Sequence, residues 1–319
     1  MRVLCADAVE SSLVADLEAL GHEVSLDPKL EGETLTAAVA GYEVLVVRST
    51  KVGAASIAAG QSLRLVVRAG SGVNTIDVAA ATSAGIGVAN VPGRNAIAVA
   101  ELTLGLLLAV DRNIPAASEQ LHRGEWDKVR FSVAAGLQGR TIGILGFGGI
   151  GRAVAERAVA FGLHVITLAR DERDEIGVRT IERLGVEVVE PHAELIRRCD
   201  ILTLHVPGTA ETRHLIGVRE LADLGSTGVL LNTSRGDVVD EAALLPALDA
   251  GLRAGLDVFE DEPSVGRTAW VSPIAAHPNV VSTPHIGAST EQAQLAVAAG
   301  VLELVGAFGR GEPIPLVNT

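Results

Sequence analysis

Short apolar runs and segments of helical periodicity alternate along most of this chain. In the first hundred residues, strands are expected at 2–6, 23–25, 44–48, 63–68 and 88–91, with helices at 12–20, 35–40, 54–59 and 77–84 between them. Such alternation predicts a parallel sheet covered on both faces, with ligands at the carboxyl ends of its strands. The pattern resumes later, with strands at 141–145, 164–170, 201–205, 228–232, 256–259 and 280–282 and helices at 152–158, 192–198, 219–224, 241–250 and 291–308. The fold class is therefore α/β, with two doubly wound parallel-sheet domains. The last helix follows the last strand of the second half, so it can cross back to the first. Between the halves, residues 96–110 are apolar nearly all round and read as a buried helix. The arm from 111 to 139 mixes Trp126 with charges, which fits either an interface or a loop folded on its own domain.

The sharpest local signal lies between residues 140 and 170. The apolar run 141–145 leads at once into Gly146-Phe147-Gly148-Gly149-Ile150-Gly151, which matches G-x-G-x-x-G. Gly146 allows the tight turn, Gly148 removes a Cβ from the path of a pyrophosphate, and Gly151 lets the following helix pack closely on the strand. The free N–H groups and positive dipole end of that helix favour an anion. A second strand closes a βαβ unit of about 30 residues, the context that turns a weak pattern into a dinucleotide-binding one.

Composition narrows the picture. With 319 residues, 48% of them hydrophobic and 20% charged, the chain can bury substantial cores. No unbroken apolar run approaches the roughly 20 residues of a membrane helix, and the first six residues are too short an apolar segment for a signal peptide. Cys5 and Cys199, without metal spacing, read as buried thiols, so the cytoplasm is the expected location and no metal is expected. A net charge of −13 argues against nucleic acid and requires a local exception for any anionic substrate.

Candidate chemistry clusters at expected strand ends. In the first half these are Arg48 and the run Gly70-Ser71-Gly72, which is either a backbone nest for a carboxylate or a plain turn. In the second half, Arg235, Glu262 and His285 would suffice for hydride transfer at a 2-hydroxy acid. Arg235 would fork onto the carboxylate and 2-oxygen, His285 would take the hydroxyl proton, and Glu262 would favour the imidazolium. His205 also ends a strand and is the rival base.

The order of motifs resembles the D-isomer-specific 2-hydroxy acid dehydrogenases over nearly the whole chain. Val47-Arg48-Ser49, Arg68-Ala69-Gly70-Ser71-Gly72-Val73, Asn90-Val91-Pro92-Gly93-Arg94-Asn95 with Val99-Ala100-Glu101, the glycine loop, His205-Val206-Pro207, residues 232–236 and 257–263, and Pro284-His285-Ile286-Gly287-Ala288-Ser289-Thr290 match in order and type. The resemblance implies a flavodoxin-like substrate domain, 1–95 plus 288–319, and an NAD(P)-binding Rossmann domain, 96–287. It implies Arg235, Glu262 and His285 as the catalytic set, Asp257 at the nicotinamide amide, and Gly70, Ser71 and Gly72 at the substrate carboxylate. The cofactor pocket would further include His205, Val206, Pro207, Thr212, Thr233, Ser234 and Gly287. A homodimer through the nucleotide domain and arm is also implied. Arg48, with Arg130 of a partner's arm, would hold a phosphate, so the expected substrate is 3-phosphoglycerate, in serine biosynthesis. Hydroxypyruvate or glyoxylate reduction is the alternative, and a nucleotide-sensing corepressor the alternative of another class.

Three features depart from the family pattern. A regulatory extension carried by some members is not part of this sequence, so feedback control by serine is not expected. The approach to Asp257 looks two residues short. Where the family has a ribose-binding aspartate, this chain has Ala169 and then Arg170, so NADP is expected to be tolerated or preferred over NAD. Alternatively Asp171 binds the ribose, or Arg170 stacks on adenine.

Overall fold

The computed structural model describes residues 1–170, 172–263 and 267–318. The chain divides into two compact units, Met1–Asn95 with Ser289–Thr319, and Ala96–Ala288. In chain order the strands are β1 (Arg2–Cys5), β2 (Glu23–Leu26), β3 (Val44–Val47), β4 (Leu65–Arg68), β5 (Gly87–Asn90), β6 (Thr141–Leu145), β7 (His164–Leu168), β8 (Glu187–Val189), β9 (Ile201–Leu204), β10 (Val229–Asn232), β11 (Arg253–Leu256) and β12 (Val280–Ser282). The helices are α1 (Ser11–Ala19), α2 (Gly32–Ala38), α3 (Ala54–Ala59), α4 (Val78–Ser83), α5 (Ala96–Arg112), α6 (Ile114–His122), α7 (Gly149–Ala160), α8 (Glu175–Leu184), α9 (His192–Arg198), α10 (Val218–Leu224), α11 (Glu241–Asp249) and α12 (Glu291–Gly309).

The first unit is a parallel sheet of order β2-β1-β3-β4-β5, the flavodoxin-like arrangement. Its central strand β3 is apolar at every position because both faces are covered. Along β3, Val44 and Val46 join the core that holds Leu13 of α1 and Val301 of α12. Leu45 and Val47 point the other way, into the core with Leu35, Ile57 and Ala81. The last helix does cross back, packing on α1 and β4. By length and composition alone, α12 is apolar enough to span a bilayer, a test that a buried core helix also passes. Its apolarity is spread over small residues broken by single polar ones, so a search for unbroken runs passes over it. Here Ala298, Val301 and Val305 are buried against the sheet.

The second unit is a seven-stranded parallel sheet of order β12-β11-β10-β9-β6-β7-β8. Counted from β6, this is the Rossmann order 3-2-1-4-5-6 with one further strand. The order reverses at β6, between β7 and β9, the topological switch point at which such sheets bind ligands. The buried helix between the halves is α5, which packs on α7, β10 and β11. At its end, buried Asp111 pairs with Arg140 at 3.3 Å and accepts from Gly136 N–H at 3.1 Å, tying down the base of the arm.

Several expected elements shift. β11 covers 253–256 rather than 256–259, because it runs in register with β10 from Val229↔Arg253 to Asn232↔Leu256 and ends where its neighbour ends. The seemingly short approach thus places Asp257 directly after the strand, its N–H donating to Asn232 O at 2.9 Å. β7 stops at Leu168, leaving Ala169 and Arg170 just beyond it. α6, α8 and β8 had no expected counterpart. α6 buries nothing and the three-residue β8 buries only Val189, so neither carries an apolar pattern.

Candidate active site

The glycine loop fits a pyrophosphate on steric grounds. A Cβ on Gly146 would lie 2.3 Å from His205 O, and one on Gly151 would lie 2.1 Å from Gly146 O, so both positions are closed to side chains by backbone. Gly148 faces nothing within 4 Å. It is the N-cap of the twelve-residue α7, and no side chain caps it. By contrast α4, α8, α11 and α12 are each capped by an Asp or Thr side chain. Uncapped N–H groups at a helix end bordered by open space are what an anionic linker would satisfy. Phe147 turns into the core and Ile150 packs on it, while Gly149 is exposed.

Beyond β7, Ala169 donates its N–H to Val189 O at 3.0 Å, and Arg170 is exposed without an ion pair among the described residues. Asp171, the alternative ribose ligand, lies outside the described residues. The sequence reading missed Arg173, whose guanidinium sits 5.2 Å over the Phe147 ring and donates to Leu168 O at 2.7 Å. Burial, then the Arg170 charge, push its pKa down. Arg152 adds to that repulsion, itself held by Asp174 at 2.9 Å. Three guanidinium groups therefore gather where the family usually places an acid. The signal was available in sequence as Arg170 and Arg173 shortly before a helix start.

Across the switch point, His205 follows β9. Its Nε2 meets Thr203 Oγ1 at 2.9 Å, and its Nδ1 is buried with no partner among the described residues. Burial pushes its pKa down to about 3, so the ring is neutral at physiological pH. Val206 packs on the core, Pro207 is exposed, and Thr212 Oγ1 donates to Pro207 O at 2.6 Å, closing that loop.

The ends of β10, β11 and β12 carry the remaining groups. After β10, Asn232 Oδ1 accepts from Ser234 N–H at 3.0 Å and Oγ at 2.8 Å, its Nδ2 donates to Arg235 O at 2.8 Å, and Thr233 bonds Thr103 of α5 at 2.8 Å. Arg235 leaves this knot half-buried, donating through Nη1 to Ser234 O at 2.6 Å. After β12, His285 Nδ1 lies 2.7 Å from Glu262 Oε1, with both side chains exposed to solvent. The Glu262 hydrogen bond raises the His285 pKa above its usual value against the opposing effect of burial, and the Asp257 charge acts the same way as Glu262. The Arg235 charge opposes them, which places all four groups within electrostatic reach. Asp257, 1% exposed, accepts from Ile286 N–H at 2.8 Å and Gly287 N–H at 2.8 Å.

In the first unit, the loop carrying Arg48 is organised by Asp7, a residue the sequence reading passed over. One Asp7 oxygen accepts from the N–H groups of Arg48 at 2.7 Å, Ser49 at 3.1 Å and Thr50 at 3.1 Å. Arg48 forms no ion pair among the described residues. The nest expected at Gly70-Ser71-Gly72 loses one member, since Gly70 N–H donates to Arg68 O at 2.8 Å. The adjacent Ser71 carbonyl accepts from Asn90 Nδ2.

A Rossmann unit with an open glycine loop at its switch point and a carboxylate-braced histidine at neighbouring strand ends defines a nucleotide-binding α/β protein. Residues 104–287 match the NAD-binding domain of the D-isomer specific 2-hydroxyacid dehydrogenases, and the chain belongs to that family. The D-3-phosphoglycerate dehydrogenase of Methanocaldococcus jannaschii is 42% identical over 315 residues, 98% of this chain and 58% of that protein. This chain thus spans little more than half the length of that relative. The hydroxypyruvate reductase of Thermotoga maritima is 41% identical over 281 residues, 86% of this chain and 88% of that protein. Among solved structures, the TT0316 protein from Thermus thermophilus superposes with a TM-score of 0.87 at 32% identity, covering 99% of each chain.

Proposed function

We propose that this chain interconverts a D-2-hydroxy acid and its 2-oxo acid with a nicotinamide dinucleotide, and that the hydroxy acid is D-3-phosphoglycerate. The observation that carries the reading is the 2.7 Å His285–Glu262 contact, on the sheet that also carries the open glycine loop. A bound nicotinamide supplies or accepts the hydride. In the neutral ring, Nδ1–H donates to Glu262 and Nε2 is left as an acceptor for the substrate hydroxyl proton. Glu262 then stabilises the imidazolium, which returns the proton when the 2-oxo acid is reduced. Oxidation needs the neutral ring, so its rate is expected to rise with pH through a pKa above the usual histidine value, the direction set by Glu262. Reduction falls through the same pKa. Arg235 uses the N–H groups not given to Ser234 to fork onto the substrate carboxylate.

Arg48, without an ion pair among the described residues, is the proposed partner of the substrate phosphate. Arg170 and Arg173 in place of an acid favour acceptance of NADP. A homodimer through the arm is supported by Leu121 at 54% and Trp126 at 81% exposure, which line a largely apolar cavity of ≈ 220 Å³, and by Val129 at 85% exposure near them in the chain. Arg130, which stacks over Phe131 at 5.2 Å, belongs to the same arm. Hydroxypyruvate reduction is the second reading, favoured by the Thermotoga maritima relative, 88% of whose length this chain covers.

The test is turnover of both substrates with both cofactors, in the wild type and in two variants. His285→Ala should lower kcat by about 100-fold or more while cofactor binding is kept. A larger loss in His205→Ala would transfer the acid/base role to His205.

A further inference from the structure

We propose that Trp270 is a positioning residue for the acid/base pair: its indole braces the turn after β11 from outside and so holds Glu262 where it meets His285. The inference rests on the acid/base reading given above. Both side chains of that pair are open to solvent, Glu262 at 35% and His285 at 49%, so packing does not place the glutamate. Its direction has to come from the backbone of residues 257–262. The near end of this turn is fixed to the sheet. Asp257 N–H donates to Asn232 O at 2.9 Å, and Phe259 is buried in the core. Glu260 is fixed next. Its N–H donates to Glu241 Oε1 at 2.9 Å, and its Oε1 meets His214 Nε2 at 2.6 Å. Gly236, the residue after Arg235, presses on the same backbone, since a Cβ there would lie 1.9 Å from Phe259 O.

The far end, which carries Glu262, is braced by Trp270. Its Nε1–H donates to Asp261 O at 3.1 Å, and its ring stands edge-on to Phe259, with centroids 4.8 Å apart and planes at 63°. One side chain thus grips the turn on both sides of Glu260. The carbonyl it holds belongs to the peptide bond between Asp261 and Glu262, so any shift there swings Glu262 directly. Edge-to-face rings and hydrogen bonds are directional contacts, and together they fix an orientation as well as a distance.

If the grip is released, the bond from Glu262 to His285 Nδ1 is made only part of the time. That bond is the largest influence raising the His285 pKa, so the imidazole should then titrate at lower pH. The other charges acting on His285 stay in place: Asp257, which favours the imidazolium, is tied to the sheet, and Arg235, which opposes it, follows β10. Glu241, Glu260, Asp261, His214 and Arg213, the ionisable groups around the turn, are all retained.

The experiment compares Trp270→Ala, Trp270→Phe and Glu262→Gln with the wild type. It reads kcat, the pH profile of kcat, cofactor Kd, Tm, and the His285 titration followed by NMR in the cofactor-free protein. Trp270→Ala should lower kcat about 10-fold, part of the roughly 100-fold that misplacing a reacting group by about 1 Å can cost. The His285 titration and the rise of the oxidation rate should both move to lower pH. Trp270→Phe keeps a ring and loses the N–H, so it should lower kcat about 3-fold, with a shift of the same sign. Cofactor Kd should stay within about 2-fold in both, because the glycine loop follows β6, three strands across the sheet from β11.

A lower Tm in Trp270→Ala with the His285 titration and the pH profile unchanged would make the indole a purely structural group and overturn the proposal. A kcat loss matched by an equal loss of cofactor affinity would overturn it too, by placing Trp270 against the cofactor. Should Trp270→Ala fail to fold, Trp270→Phe decides: wild-type kcat and titration there refute the brace. Glu262→Gln separates the two readings. If it leaves kcat and the His285 titration as in the wild type, the acid/base reading fails and takes the brace with it. If it lowers both while the Trp270 variants do not, the acid/base reading stands and the brace alone is wrong.

Discussion

Two glycine turns sit at carboxyl ends of parallel strands in this molecule, and they do opposite things. At Gly146 and Gly151 the missing side chains make room for backbone, while Gly148 opens onto empty space at the uncapped start of a twelve-residue helix. At Gly70 the missing side chain makes room for a cation: a Cβ there would lie 1.5 Å from Arg68 Nη1, and the Gly70 N–H is already used by Arg68 O. The next helix in that unit, α4, is six residues long and capped by Asp77, whose side chain accepts from Ala80 N–H at 2.9 Å. Glycine content alone therefore does not make an anion site. A helix must follow at once, its first N–H groups must lack a cap, and the middle glycine must face open space.

The largest expected effect tests the steric half of that contrast. Gly151→Ala drives a methyl into the Gly146 carbonyl and should displace the turn at a cost of about 3 kcal/mol, roughly 100-fold in cofactor Kd, with a lowered Tm. Gly70→Ala is strained by the φ of +148° and pushes aside the end of a flexible arginine, so it should cost stability while leaving cofactor Kd near wild type. Equal loss of cofactor affinity in both, measured by calorimetry, would end the distinction.

Next in size is the charge side of the first unit. Arg48→Ala should raise KM for 3-phosphoglycerate about 10- to 100-fold, the equivalent of a charge-assisted bond of about 1.5–3 kcal/mol, and spare a substrate without phosphate. Parallel losses on both substrates would remove the phosphoglycerate assignment and strengthen the hydroxypyruvate one.

A change of about 10-fold is expected at the adenosine end. Ala169→Asp and Arg173→Ala should each shift the ratio of NADPH to NADH affinity toward NADH, the first by adding an acceptor and a repulsion, the second by removing a cation. A wild type that binds NADH far better, with neither variant altering the ratio, would mean that this cluster does not meet the cofactor.

The smallest effect is the most diagnostic of open space. Gly148→Ala is sterically free within the protein, so Tm should stay within a degree or two, given a stability change of at most about 1 kcal/mol. Cofactor Kd should nevertheless rise by several-fold, because only a bound pyrophosphate would meet the new methyl. Unchanged affinity would place the pyrophosphate elsewhere.

Much of this was legible in the sequence, and the reason is local. The glycine loop carries its own turn, helix start and strand, and strands buried on both faces announce themselves as continuous apolar runs, so the α/β class and most element positions follow from short-range pattern. Elements that bury almost nothing, such as α6 and β8, left no such trace. What tertiary structure decided is pairing and register. β11 ends at Leu256 because β10 ends at Asn232 beside it, and this register puts Asp257 where it can hold a turn that begins 26 residues later. Asp7 bonding to 48–50 and Arg173 folding over Phe147 are likewise contacts between segments far apart or differently curved in the chain. Residue types nominate groups able to do chemistry. Their directions are set by which strand ends the sheet places side by side, and hydrogen-bond partners drawn from other loops do not show in periodicity.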